Sequence, residues 1–154
     1  MDLSDVELAV IMNTWKVPMG DPEGSGQVIL YRFFEKYPHN MEYFEAFKGK
    51  PLKEAKEDAK FKAHAGRIVR AFDNAIKAAE ERGKDAVLSK AQWDRLASSH
   101  LKRHIPKDSF MELKGIVLEV LAEVCHLNDF QSTAWEKLLN YLFGVMLDQM
   151  TKLE

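Results

Sequence analysis

The sequence predicts a single all-α domain, and three observations support this prediction. Apolar residues recur at steps of three and four along almost every segment, which is typical of amphipathic helices. No segment shows the strict alternation of apolar and polar residues that a half-buried strand requires. The 154 residues match the usual length of one domain, and neither an internal repeat nor a long linker divides them.

The first two helices have clear start and stop signals. Ser4 with Glu7 predicts a capping box at the start of the first helix, and Val17-Pro18 marks its end. Asp21-Pro22 predicts an N-cap and a first-turn proline for the second helix, which ends at Pro38. The apolar faces of these two helices are expected to carry Val6, Val10, Ile11, Trp15, Ile29, Leu30, Phe33 and Phe34.

The middle of the chain predicts a short helical turn, an irregular stretch and one long helix. The turn covers residues 38–44, and the irregular stretch covers residues 47–51. The long helix is expected to run from about residue 52 or 54 to residue 81, with Gly83 as its stop signal. Its apolar face follows steps of three and four through Phe61, His64, Ala65, Ile68, Phe72 and Ile76.

Three further helices complete the expected fold. The first covers about residues 89–102, the second covers about residues 107–126, and the last begins at Asn128. One face of the helix predicted over residues 89–102 contains Trp93, Leu96, Ala97 and His100. The apolar positions of the other two include Phe110, Leu113, Val117, Val120, Leu121, Val124, Trp135, Leu138, Leu139, Leu142, Phe143 and Met146.

Composition and charge exclude several classes of function. The net charge of −2 offers no basic surface for nucleic acid, and a single cysteine, Cys125, excludes a disulfide framework or a thiolate cluster. No apolar run approaches the roughly 18 residues of a membrane span. The first residues lack the basic region and apolar stretch of a secretory signal. We therefore expect a cytoplasmic protein without a membrane or nucleic-acid partner.

Two of the five histidines, His64 and His100, lie on the apolar faces of different predicted helices. A single inward histidine is more often a hydrogen-bonded core residue than a ligand. Facing helices do build cofactor sites in all-α cores, but no carboxylate or thiolate is in register here to complete a small-metal site. A porphyrin supplies four equatorial nitrogens itself and needs one axial imidazole and an apolar slot. The pattern alone leaves both interpretations open.

Several segments resemble the globin family in order and spacing, over nearly the whole chain. Residues 26–34 resemble the second globin helix, residues 62–68 the distal-helix motif, and residues 96–100 the proximal motif. The resemblance implies a globin fold of about seven to eight helices around haem b. It also implies that His100 is the proximal iron ligand and that His64 is the distal histidine.

The same resemblance implies the apolar part of the site. Phe44 corresponds to the phenylalanine that wedges the haem, and Phe47 to a second aromatic contact. Ile68 is expected over the bound ligand, while Leu30 and Leu96 form pocket wall. The alternative for the two phenylalanines is that they are ordinary core aromatics.

The polar part of the site is also an expectation from the resemblance. Arg67 and His104 could each reach a haem propionate, although Arg67 could equally be solvated. Ser99 or a backbone carbonyl could accept the second N–H of His100, which would orient the ring.

Residues 61–70 and 15–18 are most similar to intracellular invertebrate haemoglobins, those of arthropods in particular. His100 follows His64 by 36 positions, which is more than in vertebrate myoglobins. The surplus is expected around residues 81–90.

The function implied by the resemblance is reversible binding of dioxygen, CO and NO, for oxygen storage or intracellular transport. His64 could itself bind the iron as a sixth ligand and compete with the gas. The alternative is a haem redox enzyme, such as a nitric oxide dioxygenase or a weak peroxidase, served by a reductase in trans. Leu30 disfavours a dedicated dioxygenase, because efficient dioxygenases of this family carry a tyrosine there. We expect a monomer or a weak homodimer.

Overall fold

The computed structural model describes residues 2–87 and 90–154, and all regular structure in this part of the chain is helical. The all-α prediction is therefore confirmed. The α-helices are α1 (Asp5–Trp15), α2 (Pro22–Lys36), α3 (Leu52–Ala55), α4 (Ala59–Arg82), α5 (Lys90–Lys102), α6 (Lys107–Val124) and α7 (Asp129–Leu153). Short 3₁₀ helices cover Pro18–Gly20, Pro38–Tyr43 and Lys84–Val87.

The predicted start signals of α1 and α2 act as expected. The backbone N–H of Glu7 donates to Ser4 Oγ at 3.1 Å, and the N–H of Ser4 donates to Glu7 Oε1 at 3.0 Å, which completes the capping box. The Asp21 carboxylate accepts the N–H of Gly24 at 3.1 Å at the start of α2. Side-chain caps of this kind contribute about 1 kcal/mol each.

The predicted long helix is two helices, α3 and α4, with a break between them. Asp58 has an extended backbone, with φ −71° and ψ 136°, and its carboxylate accepts the N–H of Lys60 at 2.8 Å. An aspartate that binds a nearby backbone N–H competes with continuous helix, so the chain restarts here. α4 ends at Arg82, and Gly83, at φ 96°, is the stop residue that the sequence predicts.

Other differences from the sequence expectations are small. α6 ends at Val124, because the chain turns at His126, whose φ is 50°. Val6 and Val124 are exposed, at 64% and 42%, although the sequence placed both on apolar faces. The expected start of α5 at Ser89 lies outside the described residues.

The core joins all the long helices, and the contact of α2 with α4 matters most for the site. A Cβ at Gly26 would lie 2.4 Å from the carbonyl oxygen of Ala65, so only glycine permits this close approach. Between α1 and α7, the rings of Trp15 and Trp135 pack at a tilt of 49° with their centroids 5.7 Å apart. In residues 2–87 and 90–154, every helix is too short or too polar to cross a lipid bilayer.

Candidate functional site

α4 brings His64 to the centre of the molecule. His64 lies between Phe61 and Ile68 on the face of α4 that packs inward, and its side chain is half-buried. The ring of Phe44, from the segment after the Pro38–Tyr43 helix, meets the imidazole edge-on with centroids 4.9 Å apart. This packing restricts the directions that the His64 ring can adopt.

α5 brings His100 to the same region and fixes its tautomer. The Nδ1 atom of His100 lies 2.6 Å from the carbonyl oxygen of Leu96, one helical turn earlier. Because a carbonyl oxygen only accepts, Nδ1 carries the proton and Nε2 keeps a free lone pair. Of the two acceptors expected from sequence, the backbone carbonyl rather than Ser99 makes this contact. The ring also packs edge-on against Phe110, at 5.0 Å.

Both histidines line one mainly apolar cavity of about 200 Å³ between α4, α5, α6 and α7. Two further cavities, of about 600 and 40 Å³, adjoin it and share His64 with it. We refer to the three together as the central cavity. The apolar walls of its main part are formed by Ile68, Ala71, Phe72, Trp93, Leu96, Phe110, Leu113, Phe143 and Met146.

Burial keeps both imidazoles neutral at pH 7. Burial, with smaller contributions from Arg67, His100 and Arg103, lowers the pKa of His64 to about 3. Burial also lowers the pKa of His100; its hydrogen bond to Leu96 opposes this effect, while Arg103 adds to it. A neutral imidazole can donate a lone pair to a metal or an N–H to a small ligand. Both rings are therefore in the protonation state that either role requires.

The mouth of the central cavity is basic. Arg67 lines two of its parts, as a residue that contacts a haem carboxylate would. Arg103 lines the same two parts, although the sequence analysis did not select it. His104 is exposed, with φ 57°, and is not among the described residues that line the central cavity. The signal for Arg103 was its place three residues after His100.

The other residues selected from sequence lie in or near this region. Ile68, Leu96 and Ser99 line the same cavity as the two histidines. Phe44 and Phe47 line the adjoining 600 Å³ part, and their rings stack with centroids 5.4 Å apart. Leu30, only 1% exposed, belongs to the core and is not among the described lining residues.

Trp93 is a lining residue whose role the sequence did not indicate. Its indole is 5% exposed, and its N–H has no hydrogen-bond partner among the described residues. The sequence placed it on the stripe of His100, but periodicity does not distinguish a cavity wall from ordinary core.

The residues present fit a haem better than a bare metal ion. Within the described part of the chain, no group of three or more histidine, cysteine, aspartate or glutamate side chains could hold a metal. Two neutral imidazoles that face an apolar cavity suit a group that brings its own equatorial nitrogens. The guanidinium groups of Arg67 and Arg103 at the mouth suit its two carboxylates.

Comparisons with known proteins agree with this geometry. The Globin family model matches residues 27–146. A hexa-coordinate haemoglobin of Drosophila melanogaster has 36% sequence identity, with 94% of each chain covered and a TM-score of 0.84. The haemoglobin of the botfly Gasterophilus intestinalis has 31% identity and a TM-score of 0.83, covering 97% of this chain and 99% of its own.

A vertebrate relative extends the match beyond arthropods. Cytoglobin-1 of Danio rerio is 30% identical over 149 residues, which are 94% of this chain and 83% of the relative. The similarity to arthropod haemoglobins expected from sequence is confirmed by the insect structures. The family model matches most of the chain, and the helices and the paired inward histidines agree with it. This chain therefore belongs to the globin family.

Proposed function

We propose that this globin holds haem b between His64 and His100 and reversibly binds dioxygen, CO and NO, for oxygen storage or transport inside cells. The observation that carries the proposal is that two neutral imidazoles, from α4 and α5, line one apolar cavity. When bound, the haem would supply an iron that can bind a diatomic gas. A reductase acting in trans keeps that iron ferrous.

His100 would be the permanent protein ligand of the haem iron in this proposal. Its Nδ1–H is held by the Leu96 carbonyl at 2.6 Å, so the lone pair of Nε2 has a fixed direction. A hydrogen bond of this kind also raises the basicity of a ligating imidazole. The contact with Phe110 limits rotation of the ring.

His64 stabilises a gas molecule held on its side of the cavity. A neutral His64 donates an N–H to dioxygen, which carries partial negative charge in such a site. One hydrogen bond contributes about 1 kcal/mol, which corresponds to roughly a fivefold change in affinity. The walls formed by Ile68, Phe72 and Leu96 exclude water from this contact.

His64 would also bind the haem iron itself when no gas is bound. Its low pKa leaves a lone pair available at pH 7. The Drosophila relative is described as hexa-coordinate, which supports the same arrangement here. When His64 binds the iron internally, the apparent gas affinity equals the intrinsic affinity multiplied by the fraction of time that the site is open.

The absorption spectrum of the deoxygenated ferrous protein tests this proposal. We expect an intense Soret band and two sharp visible bands, because His64 and His100 would both bind the iron. The His64→Leu variant should show one broad visible band instead. An unchanged spectrum in the variant would remove His64 from coordination, and a folded, colourless protein that refuses added haemin would end the whole proposal.

A further inference from the structure

The molecule contains a further, mainly apolar cavity, open to solvent on one side and remote from the histidines. It has a volume of about 270 Å³ and lies between α1, α2, α4 and α6. None of the described residues that line it also lines the central cavity. We call it the AB cavity, where A and B stand for the first two α-helices, α1 and α2. Its wall consists of Trp15, Pro18, Asp21, Gly24, Ser25, Val28, Ile29, Val69, Val120, Leu121 and Val124.

The AB cavity has a buried apolar floor and an exposed apolar rim. Its floor includes Trp15, Ile29 and Val69, each at most 6% exposed. Its rim includes Val28 and Val124, which are 44% and 42% exposed. Large apolar side chains that remain this exposed around a pocket gain free energy when a ligand covers them.

The size and charge of the AB cavity define the class of ligand. An apolar cavity of about 150 Å³ is sufficient to bind benzene, so 270 Å³ accommodates one aromatic ring with a short chain. Asp21 is the only ionisable side chain among the described lining residues. One of its oxygens accepts the N–H of Gly24, and no cation among the described residues pairs with it.

We propose that the AB cavity is a binding site for a small arylalkylamine, with the aromatic ring against Trp15 and the ammonium group at Asp21. Transfer of the ligand's aromatic ring from water to the apolar floor supplies most of the binding free energy. The ammonium group adds a partly exposed ion pair with Asp21, which contributes less. This site does not involve His64, His100 or the central cavity.

Titration with benzylamine and with toluene tests the proposal, because the three tryptophans act as separate reporters. Trp15 lines the AB cavity, Trp135 packs behind it, and Trp93 lines the central cavity. With ¹⁵N-labelled indoles in the purified protein, we expect both probes to shift the Trp15 signal saturably and to leave Trp93 unchanged. A Trp93 response without a Trp15 response, or no saturable shift with millimolar probe, would overturn the proposal.

Rim variants locate the site. Val124→Trp fills the AB cavity and should weaken benzylamine binding by about tenfold or more. Val17→Trp is the matched control, because Val17 is 53% exposed and does not line the cavity, and it should leave binding unchanged. Val28→Trp serves as a second blocking variant if Val124→Trp unfolds. Binding to both blocking variants at wild-type strength would contradict the proposal.

The Asp21→Asn variant tests the amine separately. Asparagine keeps the N-cap of α2, so the helix should be preserved. Benzylamine should bind about two- to fivefold more weakly, since an exposed ion pair contributes up to about 1 kcal/mol. Toluene binding should not change. Equal behaviour of the two probes in this variant would overturn the assignment of the ammonium group to Asp21.

Discussion

The ring of His64 lies edge-on against the ring of Phe44, with the two centroids 4.9 Å apart. Phe44 stacks in turn on Phe47, which is 1% exposed and packs against Phe34 and Phe61. A chain of aromatic contacts therefore connects His64 to the core. The position of His64 depends on this support as well as on α4.

Replacing Phe44 by alanine should weaken haem retention. The change removes a half-buried aromatic side chain from the wall of the central cavity, together with its contact to the His64 ring. The folded state should lose less than the roughly 3 kcal/mol that truncation of a fully buried aromatic costs. The measurement is the rate of haem transfer to an excess of apomyoglobin, which should rise by at least tenfold. Phe130→Ala, at an exposed position on α7, is the control. Equal transfer rates for Phe44→Ala and the wild type would show that Phe44 does not hold the cofactor.

Gly26→Ala should destabilise the fold through the contact of α2 with α4. The new Cβ would meet the Ala65 carbonyl oxygen at 2.4 Å, so the two helices must separate, at about 1–3 kcal/mol or more. Gly144→Ala is the matched control, because a Cβ there meets nothing within 4 Å and should stabilise α7 by about 0.5–1 kcal/mol. Urea denaturation of both variants measures the difference. Similar shifts of the two midpoints would contradict the close approach.

Glu7 gives a pH-dependent prediction away from the haem. The backbone N–H of Ser4, followed by the ion pair with Lys137 at 2.9 Å, lowers the pKa of Glu7 from 4.5 to about 2. A lowered pKa means that the charge stabilises the folded state fully above about pH 4.5 and that this contribution is lost as the pH falls towards 2. Glu7→Gln keeps the capping box and removes only the charge.

The gap in unfolding midpoint between the wild type and Glu7→Gln should be largest near neutral pH. It should narrow as the pH is lowered from 5 to 3, within the window set by the two pKa values. Glu57→Gln, at an exposed carboxylate after α3, is the comparison variant. A gap for Glu7→Gln that stays constant over this range would show that the charge of Glu7 does not contribute.

The sequence predicted most helices because their signals are local. Ser4, Asp21 and Gly83 are caps that act within a few residues, and the structure uses all three. The break before α4 was missed because residues 52–58 contain neither glycine nor proline to mark it. The helix restarts there because Asp58 has an extended backbone and its carboxylate accepts the backbone N–H of Lys60.

The mouth of the site was harder to predict for a geometric reason. His104 lies one turn beyond His100 only if α5 continues that far. The helix ends at Lys102, and the chain turns at His104 with φ 57°, so Arg103 rather than His104 lines the cavity. Periodicity describes residues inside a helix, and it fails where the helix has ended.

The His100→Gly variant tests the central claim most directly. With the imidazole removed, the ferrous spectrum should change and haem should dissociate faster, because no other α5 side chain among the described lining residues offers a nitrogen with a free lone pair. Added free imidazole should restore the wild-type spectrum. A variant that keeps the wild-type ferrous spectrum and the wild-type affinity for dioxygen without added imidazole would contradict the account.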